Sequence, residues 1–291
     1  IVSVAAPSAI GKHTPPEKMS VAMGIWSTWV PVGSLIMFLA APALVLSLRL
    51  DTFWLLLMGL ILLVMILYAI RIPGSGPVKP QKQLSRDWVR QELKNSHAWW
   101  IGGAFTSFTF AFFAFNTWIA AYLVQSDVLP LVQASWIPAI VAFFTTASNM
   151  GSGWLLAKFG NRLVIFLLPT LIMTLIWPLF LEHHLALLYA SAIVLGAVSG
   201  FVPTFVFAAG PLYATRKETI GIVMSIVILG ENAGILIGPE VFGLLRDLTG
   251  QFPASFWIMS AASLFSIAAS IRIWRTRVFS PGRSRETSME A

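Results

Sequence analysis

Cysteine is absent from this chain and charge is scarce. Without cysteine there is no disulfide and no thiol chemistry, and the compartment cannot be read from redox usage. Asp, Glu, Lys and Arg make up 11% of the 291 residues, where a soluble domain carries about 25%. Histidine occurs only at His13, His97, His183 and His184. All four fall at the ends of apolar runs, so the cluster at membrane depth that an intramembrane enzyme needs is not expected. Glu182, His183 and His184 are consecutive and cannot converge well on one ion, so no metal site is expected either. The chain has no P-loop, no dinucleotide fingerprint and no Ser/His/Asp arrangement. Neither ATP hydrolysis nor a cofactor is expected of it.

Apolar length is what the chain has in abundance. Apolar residues make up 57%, and the mean hydropathy is +0.80. They gather in runs at 21–48, 52–70, 98–124, 132–156, 163–181, 185–209, 220–245 and 254–271. Each is near or above the ~20 residues that a helix needs to cross a bilayer. Only helices and closed barrels satisfy their backbone in lipid, and a barrel would show alternating segments of about 10 residues. The expectation is an all-α integral membrane protein, a multi-pass helical bundle with eight full spans.

The charges sort by side. If the eight spans alternate, all 19 Lys and Arg fall on one side except Arg49 and Arg246. This positive-inside pattern predicts a plasma (inner) membrane protein with both ends of the intact chain in the cytoplasm. The formal charge of +7 therefore sets topology and meets anionic lipid, and no nucleic acid partner is expected.

Residues 17–72 and 218–273 are two copies of one pattern at a constant offset of 201. Glu17, Met23, Gly33, Leu35 and Ile36 recur as Glu218, Met224, Gly234, Leu236 and Ile237. Met58, Leu63, Ile66 and Arg71 recur as Met259, Leu264, Ile267 and Arg272. The last six spans begin near Ala98. Read as a second copy, they imply that the first begins about 100 residues before Ile1. Residues 1–10 then read as the end of a truncated span, and 11–72 as the last two spans of an N-terminal six-helix bundle. Residues 73–97 read as a cytoplasmic inter-bundle loop whose later part, 85–94, suits a short amphipathic surface helix. Residues 98–274 form a C-terminal six-helix bundle, and 275–291 a polar tail. The whole is a 6+6 parallel repeat, an arrangement found among transporters.

Three passages resemble the major facilitator superfamily. Residues 14–25 (Thr-Pro-Pro-Glu-Lys-Met-Ser-Val-Ala-Met-Gly-Ile) look like the loop entering its fifth span. Residues 153–162 (Gly-Trp-Leu-Leu-Ala-Lys-Phe-Gly-Asn-Arg) resemble its short cytoplasmic loop motif, with matches at Gly153, Lys158, Gly160 and Arg162. Ala157 stands where the motif has Asp, and Asn161 where it has Arg. Residues 234–250, with Gly238-Pro239, Gly243 and Thr249-Gly250, look like its eleventh span and outer turn. The Trp-rich fifth span and Asn116-Thr117-Trp118 resemble the cyanate-permease-like group of small-anion and metabolite carriers. The resemblance implies a transporter, with the seventh and tenth spans lining a cavity.

Glu231 is the sharpest candidate for function. It lies about 16 Å of helix into the run beginning at Ile220, close to mid-bilayer. An ionised carboxylate is expensive there. It either faces a wet cavity, where it suits proton binding and release, or bonds a neighbouring helix as structural glue. Its counterpart in the first copy is Val30, so the fold does not demand it. Asn232 is about 100° further round the helix and cannot share its face closely. Thr109 and Asn116 are seven apart on one face of the seventh span. The alternative for Thr109 is a bond to its own helix carbonyl. Asn149 in the eighth span is a weaker candidate of the same kind. Pro203 marks a bend in the tenth span, either hinge or static kink. The tryptophans read mostly as interfacial anchors.

The expected function is secondary active transport by alternating access, proton-coupled, for a small solute such as an anion or metabolite. The intact protein is expected to be monomeric. The alternatives are a membrane sensor or receptor on a transporter scaffold, or a drug/proton efflux pump of the same fold.

Overall fold

The structure is a computed structural model that describes residues 7, 9–10, 13–71, 85–159 and 162–275. Most of the expected truncated span at 1–10, the loop at 73–84, Gly160 and the tail from 276 lie outside the described residues. Every regular element among those described is helical.

Helix α1 (Pro16–Trp26) starts with proline in its first turn and Glu17 facing the positive end of the dipole. Ser27 and Thr28 separate it from α2 (Trp29–Ser47). Helix α3 (Leu50–Arg71) follows at once. Helix α4 (Arg86–Leu93) is short and capped by the Ser85 hydroxyl, which accepts from the Asp87 amide at 3.3 Å. Helix α5 (Ser96–Gln125) is capped by Asn95, which accepts from the His97 amide at 3.1 Å. Then come α6 (Leu131–Phe159) and α7 (Arg162–Ile176), which a 3-10 turn extends over Trp177–Leu181. Helices α8 (Leu185–Ser199) and α9 (Phe201–Ala209) are two halves of one broken rod. Helix α10 (Ile220–Thr249) ends at Gly250, whose φ of 67° is the left-handed stop that favours glycine. Helix α11 (Pro253–Arg275) closes the bundle.

Seven helical stretches among the described residues are long and apolar enough to span a membrane. Among the described residues an eighth is not counted. The run at 52–70 lies within the 22-residue apolar helix α3, of which only Asp51–Leu67 enters that count.

Large apolar side chains face outward around the bundle, with Leu175, Leu236 and Leu248 each more than 70% exposed. Such a surface suits lipid and would aggregate in water. Inside, Trp177 is fully buried and donates from Nε1 to the Ser263 hydroxyl at 3.0 Å. It packs with Phe115, whose ring also meets Phe180. Trp177 thus departs from the interfacial role expected of tryptophan, because it follows Ile176 into the core and not onto the lipid face.

The two ends of the later helices gather separately. At one end Asn95 Nδ2 donates to the Tyr213 carbonyl at 2.8 Å. At the other, Arg246 Nη2 donates to Gln125 Oε1 at 2.8 Å, and the Tyr122 hydroxyl lies 3.1 Å from His183 Nε2. Loops that the alternation puts on one side do meet.

Helices α5 and α10 form the closest pair. Gly230 presses on the carbonyl of Gly102, and Gly238 on that of Phe110. A side chain at either position would strike backbone. On the other flank, α1 and α2 both lie along α6.

Candidate functional site

The site grows from two helix breaks that face α6. The first lies between α8 and α9. Pro203 has no amide hydrogen, and its ring crowds the carbonyl four residues back, so the helix bends just before it. The bend falls at Gly200, whose amide donates to the Ser148 hydroxyl at 2.9 Å. The Gly200 carbonyl accepts from the Ser152 hydroxyl at 3.3 Å. A Cβ at Gly200 would stand 2.7 Å from Asn149 Oδ1, which explains the glycine. A break is therefore present three residues before Pro203, and α6 bonds both backbone groups of Gly200.

The second break is at Ser27. Asn149 Nδ2 donates to the Ser27 carbonyl at 2.8 Å. The Ser27 and Thr204 hydroxyls lie 3.2 Å apart, and Thr204 donates to the Asn149 carbonyl at 3.3 Å. One polar junction thus ties the α1–α2 break, α6 and α9. Asn149 is fully buried, and its Oδ1 has no hydrogen-bond partner among the described residues. The hydroxyl of Thr145, one turn earlier, is also buried and unpartnered.

Beside this junction is a small cavity of about 40 Å³. Thr109, Thr145, Asn149, Pro203 and Glu231 all line it. Its aromatic wall is a ladder on α5. Phe105 stacks on Phe108 at 6.2 Å between centroids, and Phe108 on Phe112 at 5.2 Å. A second, wider cleft of about 520 Å³ shares Trp29, Val30, Phe113 and Glu231 with the first, and adds Asn232. Glu231 therefore stands where the two spaces meet. Val30, its counterpart at the 201-residue offset, lines both spaces as well.

The glycine seam explains this placement. Gly230, Gly234 and Gly238 face α5, so residue 231, about 100° round from Gly230, looks along the seam and not into it. The Glu231 carboxyl makes no hydrogen bond or ion pair among the described residues. Only its backbone carbonyl is engaged, by the Thr109 hydroxyl at 3.0 Å. That hydroxyl also lies 2.9 Å from the Phe105 carbonyl, so Thr109 bonds its own helix and a neighbour.

Asn116 departs from expectation. Its Nδ2 donates to the Phe112 carbonyl at 2.7 Å, and it lines neither space. It shares a face with Thr109, but seven residues carry it about 10 Å further along the axis. Asn232 lines only the wider cleft and donates to the Ile228 carbonyl at 2.8 Å. Three of the four loop-motif residues are described. Gly153 is buried within α6, where a Cβ would lie 3.3 Å from the Gly24 Cα. Lys158 ends the same helix with Nζ 4.7 Å from the Trp154 ring. Arg162 opens α7.

The aromatic ladder was not anticipated as a cavity wall, although the spacing of Phe105, Phe108 and Phe112 puts them on one helical face. The break at Ser27 was also missed. Its signal was Ser27-Thr28 followed by Pro31, a helix restart. Trp29 lines the cavity.

A family model described as Major Facilitator Superfamily matches residues 1–215 and, in a second match, 129–289. The chain belongs to the Major Facilitator Superfamily. As a member, it is a multi-pass helical membrane transport protein. It is 23% identical to the hexuronate transporter of Bacillus subtilis (strain 168), over 92% of this chain and 68% of that protein. It also resembles the crystal structure of the superfamily transporter FucP in the outward conformation. That likeness has a TM-score of 0.64 at 15% identity and covers 94% of this chain and 72% of that one. A substituted form of FucP, the E. coli fucose:proton symporter, gives a TM-score of 0.66 at 14% identity, over 94% and 73%. At these identities the structural likeness concerns the fold.

Proposed function

We propose that this superfamily member is a proton-coupled symporter for a small metabolite carrying a carboxylate, working by alternating access around the cavity at Glu231. One observation carries the reading: a carboxyl without a polar partner among the described residues, where a small aromatic-walled cavity meets a wider cleft. A second negative charge entering this space meets the Glu231 charge in a low-dielectric setting, where repulsion is strong. Protonation of Glu231 removes that repulsion. Cargo and proton then bind each other's state more tightly than either binds alone, and that linkage is reciprocal. The stacked phenylalanines offer an apolar face, while Asn149 Oδ1 and the Thr145 hydroxyl offer unused hydrogen-bonding capacity. The hexuronate transporter among the relatives supports a carboxylated sugar as the first cargo to try. The sorted Lys and Arg support a plasma membrane orientation with the basic end in the cytoplasm. A cavity built within one chain supports a monomer as the working unit.

Uptake of labelled hexuronate into cells expressing the natural protein tests this reading. Uptake is expected to rise when the outside is made more acidic and to collapse with a protonophore. Uptake indifferent to both would remove the proton from the mechanism.

A further inference from the structure

Helix α4 carries a charge pattern that the transport cavity does not use. Arg86, Arg90 and Lys94 recur every fourth residue. At about 100° per residue they fall in a stripe only about 80° wide. All three are exposed.

The opposite side of α4 is bolted to the bundle. Glu92 is fully buried, which is unusual for a residue on a surface helix. The Thr215 amide donates to its Oε1 at 2.6 Å, and the Thr219 hydroxyl at 2.7 Å. The Thr215 hydroxyl donates to the same oxygen, and Asn95 Nδ2 to Oε2 at 3.0 Å. Burial pushes this carboxyl up, but the hydrogen bonds from Thr215, Asn95 and Thr219 outweigh it and hold it below its ordinary value. Four residues earlier, the Trp88 ring lies 4.7 Å from the Arg216 guanidinium. These contacts fix how α4 is rolled about its own axis.

The roll decides what the rest of the helix meets. Passing round from Glu92, the next positions are Val89 and Leu93, and Leu93 is 50% exposed. Trp99, on the first turns of α5, is 47% exposed and donates from its indole to the Leu93 carbonyl at 2.9 Å. An exposed leucine and tryptophan at the start of a spanning helix mark the lipid boundary. The cationic stripe comes next, and Asp87 and Gln91 lie beyond it, toward water. Cations therefore border an apolar edge at headgroup level, with the helix's other acid, Glu92, turned inward.

We propose that Arg86, Arg90 and Lys94 form a binding site for the headgroups of anionic phospholipids in the bilayer that the chain spans. Charge complementarity and the apolar edge together select this occupant: a free anion uses the charges alone, whereas a lipid uses both. Glu92 acts as a positioning residue that presents the stripe to the headgroups.

Titration of the purified natural protein with phosphatidylglycerol or phosphatidylcholine, read by native mass spectrometry, tests the site. The natural protein is expected to retain phosphatidylglycerol preferentially. Each cation near such a surface contributes about fivefold, so the combined change Arg86→Gln, Arg90→Gln and Lys94→Gln is expected to lower that preference by one to two orders of magnitude. Leu93→Gln keeps every charge and is expected to weaken lipid retention too. If the triple variant folds poorly, Arg90→Gln alone is expected to lose about fivefold. An unchanged preference in these variants overturns the proposal. So does equal competition by inorganic phosphate, which would make this a site for free anions.

Discussion

Replacing Gly153 with alanine attacks the helix crossing one turn from Asn149, which lines the cavity. Here α1 and α6 meet glycine to glycine. A methyl at Gly153 would stand 2.6 Å from the Ser20 carbonyl oxygen and 3.2 Å from the Val21 Cα. A comfortable carbon–oxygen contact is about 3.3 Å, so the overlap is about 0.7 Å. The atom struck belongs to backbone and cannot rotate away, so α1 must back off by a similar distance. Overpacking of this kind costs about 1–3 kcal/mol. The displacement also reaches the bond from Asn149 to the Ser27 carbonyl, now 2.8 Å, and the Ser27–Thr204 contact, now 3.2 Å. Adding about 0.7 Å takes both to or past the limit of a useful hydrogen bond. The 291 residues contain no cysteine, so Thr204→Cys introduces a single reporter thiol among them. Gly153→Ala is expected to lower the melting temperature and to speed maleimide labelling at position 204, and Gly153→Leu to do both more strongly. Unchanged melting and labelling would refute the idea that this crossing seals the junction.

The two copies of the repeat give a paired test. Gly234 is pressed against Thr109 and the Thr106 carbonyl, whereas its partner Gly33 has nothing within 4 Å. Gly234→Ala is expected to destabilise by about 1–3 kcal/mol, and Gly33→Ala to be neutral or stabilising by up to about 1 kcal/mol, as read by thermal melting in detergent. Glu92→Ala is expected to cost about 1–3 kcal/mol, because the Thr215 amide loses its acceptor and the buried Thr219 hydroxyl loses one of two. Since Glu92 binds its proton less readily when folded than at its ordinary value of 4.5, its stabilisation is present above that pH. It is lost as the pH falls through the lower folded value. The natural protein should therefore lose more stability than Glu92→Gln on acidification below that range. Asn149→Leu leaves the Ser27 carbonyl unpaired, at about 1–3 kcal/mol. It is expected to raise the KM for cargo more than it lowers the maximal rate in uptake assays.

The membrane class and helical bundle were legible because apolar run length is a direct consequence of bilayer thickness. Charge sorting was legible for the same reason, and the contacts of Asn95 with Tyr213 and of Arg246 with Gln125 agree with it. Glu231 stood out because mid-bilayer charge is costly, and its place in the cavity depends on the glycine seam beside it. Asn116 shows where helical-face reasoning fails: a shared face says nothing about depth along a long helix. Thr145 and Ser27 were not legible as site residues, since only the meeting of α2, α6 and α9 gives them a shared surface. The phenylalanine ladder was ambiguous because a core stripe and a cavity wall have the same spacing.

The most direct test of proton coupling at Glu231 is pH-gradient-driven uptake of labelled hexuronate into proteoliposomes containing the natural protein or Glu231→Gln. With the proton site at Glu231, the natural protein accumulates cargo against its gradient. Glu231→Gln still exchanges labelled for unlabelled cargo but no longer accumulates it. Equal pH-driven accumulation by both proteins would contradict that assignment.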